Sequence, residues 1–134
     1  MRGANRDAGF TLIELLVVMI IVGILAAIAI PAFLGQRQQA YEASAKLDVR
    51  SVVKEALAYY VDASGPLTIT GSNGAWQLTS GPVVAAGGRL SKGNSISARS
   101  YVNSVDDYCV SILNSQTNSR YWSGNGTGLN LGDC

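Results

Sequence analysis

Between Leu15 and Gln36 the chain reads LLVVMIIVGILAAIAIPAFLGQ, without one formally charged side chain. As an α-helix this run reaches ~33 Å at 1.5 Å per residue, enough to cross a bilayer core of about 30 Å. A buried soluble helix of such purity is out of keeping with a chain of 134 residues, so the segment reads as membrane-spanning. That sets the architecture: one apolar helix near the start, and a single domain built from the remaining residues.

The composition excludes several functions. Hydrophobic residues make up 48% and charged ones 14%, and the formal net charge of +1 leaves no whole-chain footprint for nucleic acid or anionic lipid. Histidine is absent, which removes the commonest general base and the commonest transition-metal ligand together. There is no nucleophile elbow, phosphate loop or metal-ligand cluster, and two cysteines cannot supply a zinc site. Asp106, Asp107 and Asp133 carry oxygens suited to calcium but read as solvated turn residues. Asn125-Gly126-Thr127 matches a glycosylation sequon and reads as a turn. Tyr41, Tyr59, Tyr60, Tyr101, Tyr108 and Tyr121 read as core and sheet residues rather than a stacking path. No enzyme, cofactor or metal site is expected.

Charge does not orient the span. Arg2 and Arg6 precede it and Arg37, Lys46 and Arg50 come after it, so the positive-inside rule gives no answer. The cysteines decide better. Cys109 and Cys134 form one pair near the C-terminal end, which reads as a disulfide in an oxidising compartment, two free thiols being the alternative. A bridge would close a loop over the glycine-rich tail, and that end then belongs outside the cytoplasm.

The approach to the apolar run carries one anomaly, Glu14. A lone carboxylate costs up to about 3 kcal/mol at the bilayer centre and less near the interface. It must face water, pair with a cation or take up a proton. The plainest alternative is a snorkelling interfacial glutamate with no partner. An ordinary secretory signal does not explain the segment, because its apolar core would be about 7–15 residues with a cleavage site after it. Here the polar-to-apolar boundary falls before the run, at Gly9-Phe10.

The stretch Gly9-Phe10-Thr11-Leu12-Ile13-Glu14-Leu15-Leu16-Val17 resembles the cleavage and methylation motif of type IV prepilins. The likeness runs on through Gly23 and Pro31, and more loosely to about Ala63. It implies that a prepilin peptidase removes residues 1–9 by cutting after Gly9 and methylates the new amine of Phe10. That amine would lie about one helical turn from Glu14. The two could pair within one chain or between chains, and the resemblance implies the second, between neighbouring subunits staggered along a fibre, so that Glu14 sets their register. Gly23 and Pro31 match positions where pilin helices loosen on assembly, which suits the lost donor of proline and the low helix propensity of glycine.

The implied function is a structural subunit that self-assembles into a type IV pilus filament for adhesion, motility or DNA uptake. The alternatives are a pseudopilin of a type II secretion or competence machine and a membrane-tethered binding module that never polymerises. The implied partners are copies of the chain itself, the prepilin peptidase, the pilus assembly platform and the membrane, with no specific nucleic acid evident. The precursor would sit in the inner membrane and the mature subunit in a cell-surface pilus.

The expected fold is α+β: a long N-terminal helix, half transmembrane and half amphipathic, packed on a small antiparallel sheet. Residues 10–36 form the fibre-core helix and 37–134 the head. Within 37–63, Tyr41, Ala45, Val49, Val52, Ala56 and Tyr60 recur at helical spacing and mark a face packed on the sheet. Ser64-Gly65-Pro66 stops the helix. Residues 64–94 read as a connecting loop with strand fragments at 67–70, 76–79 and 83–86. Strands are expected at 95–102, 107–113 and 120–123, the last two joined by a hairpin turn over 114–118.

Overall fold

The computed structural model describes residues 9–72, 74–124 and 128–134. Residues 1–8 of the expected leader and the sequon Asn125-Gly126-Thr127 lie outside the described residues. The chain divides into two compact units, Met1–Arg37 and Gln38–Cys134.

A single helix, α1, runs from Leu12 to Asp62. Its apolar part within the first unit is solvent-exposed along nearly its whole length, and none of its most apolar window is buried. A helix that is hydrophobic on every face and finds no interior in its own chain needs lipid or other proteins around it.

In the second unit the pattern turns amphipathic. Ala45, Val49, Val52 and Ala56 of the expected stripe are buried, while Tyr41 and Tyr60 at its ends are half-buried. The helix stops where glycine and proline end it: the Ala63 amide closes the last turn on the Tyr59 carbonyl, and Gly65 comes next at φ 106°. The Tyr60 hydroxyl spans the exit, 3.0 Å from the Gly65 carbonyl oxygen and 3.3 Å from that of Val102.

Among the described residues eight strands follow: β1 (Thr68–Ser72), β2 (Ala75–Ser80), β3 (Val83–Arg89), β4 (Asn94–Ile96), β5 (Tyr101–Val102), β6 (Tyr108–Asn114), β7 (Ser119–Gly124) and β8 (Leu129–Leu131). They make two antiparallel sheets rather than one. The first is ordered β1-β2-β3; the second has five strands in the order β4-β6-β7-β8, with β5 also paired to β6. The segment 64–94, expected as a connecting loop with strand fragments, holds three paired strands where those fragments were expected, each of them longer. Its glycines mislead, because some of them serve packing. Gly88 faces Trp76 across the β2–β3 pair, and a Cβ there would stand 2.9 Å from the indole nitrogen, so only hydrogen leaves room for the buried ring.

The expected strand 95–102 is broken in two by a turn at residues 97–100, where the Ser100 amide bonds back to the Ser97 carbonyl. The hairpin over 114–118 joins β6 to β7 as expected, with Asn118 in the left-handed conformation at φ 54°. Leu67, Trp76, Leu78, Leu90, Val102, Tyr108, Val110, Ile112 and Tyr121 meet the buried face of α1 in one core.

That core contains an acid. Asp48 is only 8% exposed, on the same helix face as Val49 and Val52. Its carboxylate accepts from the Ser91 amide (2.7 Å), the Ser91 hydroxyl (3.0 Å) and Asn94 Nδ2 (2.7 Å). The chain of bonds continues from Asn114 Nδ2 to Asn94 Oδ1 at 2.6 Å, and Asn114 Oδ1 accepts the Gln116 amide at 2.9 Å. Buried polar groups are tolerable when every member is satisfied, and this network couples helix, β4 and hairpin. Replacing Asp48 by alanine strands the Ser91 amide and leaves Asn94 Nδ2 only its longer bond to Ser44 Oγ at 3.4 Å. We expect Asp48→Ala to destabilise the head by about 2–3 kcal/mol, read as a lower denaturation midpoint of the full chain in detergent micelles.

Candidate N-terminal processing site and the disulfide-bounded tail

Helix α1 begins immediately after the Gly9-Phe10 step. Gly9, Phe10 and Thr11 are non-helical, and Phe10 is 84% exposed. The Thr11 side chain is the helix cap: its Oγ1 accepts the Glu14 amide at 3.3 Å, and its carbonyl accepts the Leu15 amide at 3.3 Å. Thr11-Leu12-Ile13-Glu14 is a capping-box sequence, and Glu14 stands in the first turn, where the helix dipole favours a negative charge. Thr11 has no role among the residues singled out from sequence, although the Thr-x-x-Glu spacing is legible there.

The Gly9-Phe10 step is exposed and non-helical, joined to a helix that starts two residues later. Glu14 is exposed, and among the described residues no cation meets its carboxylate. It is the one acidic residue of the helix before Glu42. Gly23 and Pro31 lie inside α1, which continues through both. Proline leaves the carbonyl one turn before it without its usual donor, and a Cβ at Gly23 would touch nothing within 4 Å, so packing within the chain does not explain that glycine.

At the other end, Cys109 in β6 is bonded to Cys134, with Cα atoms 5.9 Å apart and a sequence separation of 25. The tail is better anchored than its glycines suggest. Strand β8 pairs with β7, the Gly132 amide reaches the Arg120 carbonyl at 2.9 Å, and the Asp133 carboxylate pairs with the Arg120 guanidinium. Asp106 and Asp107 lie in a separate turn, where Asn103 Nδ2 donates to the Asp107 carboxylate at 2.9 Å. Among the described residues no three His, Cys, Asp or Glu side chains are grouped to hold a metal.

The Asp133 carboxyl is held below the usual carboxylate range, chiefly by the nearby Ser111 hydroxyl, then by Ser97 and Arg120, with burial opposing them. The Ser111 hydroxyl reaches no partner at full hydrogen-bonding geometry, so its influence is that of a dipole beside the charge. A carboxyl whose folded pKa is depressed stabilises the fold above its unfolded value, here 3.8, and that contribution vanishes as pH falls through the lower folded value. We expect amide exchange of Gly132 and the β8 residues to accelerate below about pH 3.8, before exchange in β6 does. Hydrogen exchange of the oxidised protein across that range is the check.

Residues 4–30 of the chain match the family described as the prokaryotic N-terminal methylation motif. Its relatives include the type IV narrow pilus major component of Thermus thermophilus, 42% identical over 60 residues, which are 45% of this chain and 52% of that protein. The type IV major pilin of Myxococcus xanthus is 40% identical over 55 residues, covering 41% of this chain and 25% of the other. The type II secretion system core protein G of Pseudomonas aeruginosa is 39% identical over 58 residues, covering 43% and 41%. The chain thus spans between a quarter and about half the length of the curated relatives it matches. No solved structure matches it. Over less than half of its length the chain is thus similar both to type IV pilins and to core protein G of type II secretion systems, and its residues 4–30 match the N-terminal methylation motif.

Proposed function

We propose that this chain is a structural subunit that polymerises into a type IV pilus filament after loss of residues 1–9. The observation that carries the reading is Glu14: one acid on an apolar, exposed helix that begins beside an accessible Gly9-Phe10 bond. Cleavage by a prepilin peptidase after Gly9 frees the Phe10 amine, which is then methylated and stays cationic. In lipid, amine and acid sit near the interface. In the filament they are buried, and only a neighbour at one axial offset cancels the charge. Apolar surface that faced lipid is reburied against other subunits.

Gly23 and Pro31 are the points at which α1 yields on passing from bilayer to fibre. The role is structural, without catalysis. The precursor rests in the inner membrane, meets the assembly platform there, and the mature subunit reaches the cell surface. Shearing filaments from cells and weighing the subunit tests this: the mature chain should begin at N-methylated Phe10. A filament subunit that keeps residues 1–9 would overturn the proposal.

A pseudopilin is the second reading, supported by the relatives that are core protein G of type II secretion systems. It would show as lost protein export on deletion, with no sheared surface filaments in the parent strain.

A further inference from the structure

The five-stranded sheet has a second face, turned away from the core it shares with α1. Side chains alternate along β6: Tyr108, Val110 and Ile112 enter the core, so Cys109, Ser111 and Leu113 face the other way. Leu113 is paired with Ser95 on one side and Arg120 on the other, which brings those side chains to the same outer face. An open cavity of about 530 Å³ lies there, lined by Ser95, Ser97, Arg99, Leu113, Arg120 and Asp133 among others.

Its charges are unequal. Arg120 is engaged by Asp133, but Arg99 is exposed and meets no acid among the described residues. The wall that carries Arg99 is fixed in place. The Ser97 amide donates to the Ser111 carbonyl at 2.8 Å, the Ser100 hydroxyl accepts the Ser111 amide at 2.9 Å, and Ser97 Oγ accepts the Arg99 amide at 3.4 Å. Beneath it the Ser111 hydroxyl is buried without a full hydrogen bond. A preorganised, polar, singly cationic hollow points to a small polar anion.

We propose that this cavity binds a sugar carboxylate, a uronic-acid residue, with the Arg99 guanidinium on the carboxylate and Ser95, Ser97 and Asp133 on ring hydroxyls. The guanidinium fork matches a carboxylate. The Asp133 charge disfavours a phosphate dianion while giving sugar hydroxyls an acceptor. The volume lies in the range of small-ligand sites, about 300–1,000 Å³, and suits one or two sugar rings.

The test is an NMR titration of the full oxidised chain in detergent micelles with glucuronate, glucose, inorganic phosphate and a tri-uronate. Saturable shifts at residues 95–99 and 120 are expected with glucuronate, and at least tenfold weaker binding of glucose and phosphate. A tri-uronate that binds more tightly than the monomer assigns the source to a polysaccharide, whereas equal affinity assigns it to a free or terminal residue. Arg99→Gln, a change at an exposed side chain, should weaken glucuronate about tenfold or more, with Arg99→Lys in between. The proposal is overturned if glucose or phosphate matches glucuronate, or if R99Q binds it unchanged while the β6 and β7 signals stay in place.

Discussion

Glu14→Ala should leave the protein inserted and processed but unable to form filaments. The substitution removes the only acid on the apolar half of α1 and leaves the cap made by Thr11 Oγ1 to the residue-14 amide untouched. In the membrane the loss is slight, because an interfacial carboxylate contributes little there. In the fibre the cationic amine of Phe10 would be buried with no counter-charge. Breaking one side of a buried ion pair costs about 3–5 kcal/mol, which corresponds to more than about a hundredfold in the subunit concentration needed for assembly.

Glu14→Gln separates charge from shape. It keeps the side-chain volume and one acceptor oxygen, and on the charge-cancelling account it fails nearly as badly. Sheared-filament yield, set against membrane-extracted subunit of the correct mature mass, is the readout. Normal yield from either variant would remove the register role.

The second large effect is expected at the disulfide. Cross-linking Cys109 to Cys134 removes loop-closure entropy from the unfolded chain. For a sequence separation of 25 the chain-entropy account gives about 3.5 kcal/mol. Cys109→Ser with Cys134→Ser should therefore lower head stability by about that amount, as measured by denaturant titration in micelles at matched detergent. The loss should be local first: β8 and the Arg120–Asp133 pair hold the tail only while its end stays near β6. Equal midpoints for oxidised and reduced protein would rule the account out.

Much of the fold is legible in the chain, for identifiable reasons. The helix is plain because twenty-odd apolar residues in sequence have no other explanation, and its amphipathic continuation because Ala45, Val49, Val52 and Ala56 repeat at helical spacing. The Cys109–Cys134 pairing is legible because the chain holds only two cysteines. The β1-β2-β3 sheet reads only as strand fragments in a loop because Gly71, Gly87 and Gly88 look like flexibility, yet Gly71 gives way to Ile96 and Gly88 to Trp76. Contacts of that kind arise between residues far apart in sequence, so no local pattern announces them.

Asp48 is indistinguishable in sequence from the solvated charges around it on the helix. Its burial depends on Ser91 and Asn94, more than forty positions away, and no periodicity reveals that. At the helix start the opposite holds. Thr11 is readable from four adjacent letters, and is overshadowed by its more conspicuous neighbours.

A thread under tension transmits its load to each bead through whatever resists sliding. Apolar contacts between a helix and a sheet are non-directional and let one surface shear past the other. The three hydrogen bonds converging on Asp48 from the Ser91–Asn94 corner do not. They act as a rivet between the helix and the strands packed on it.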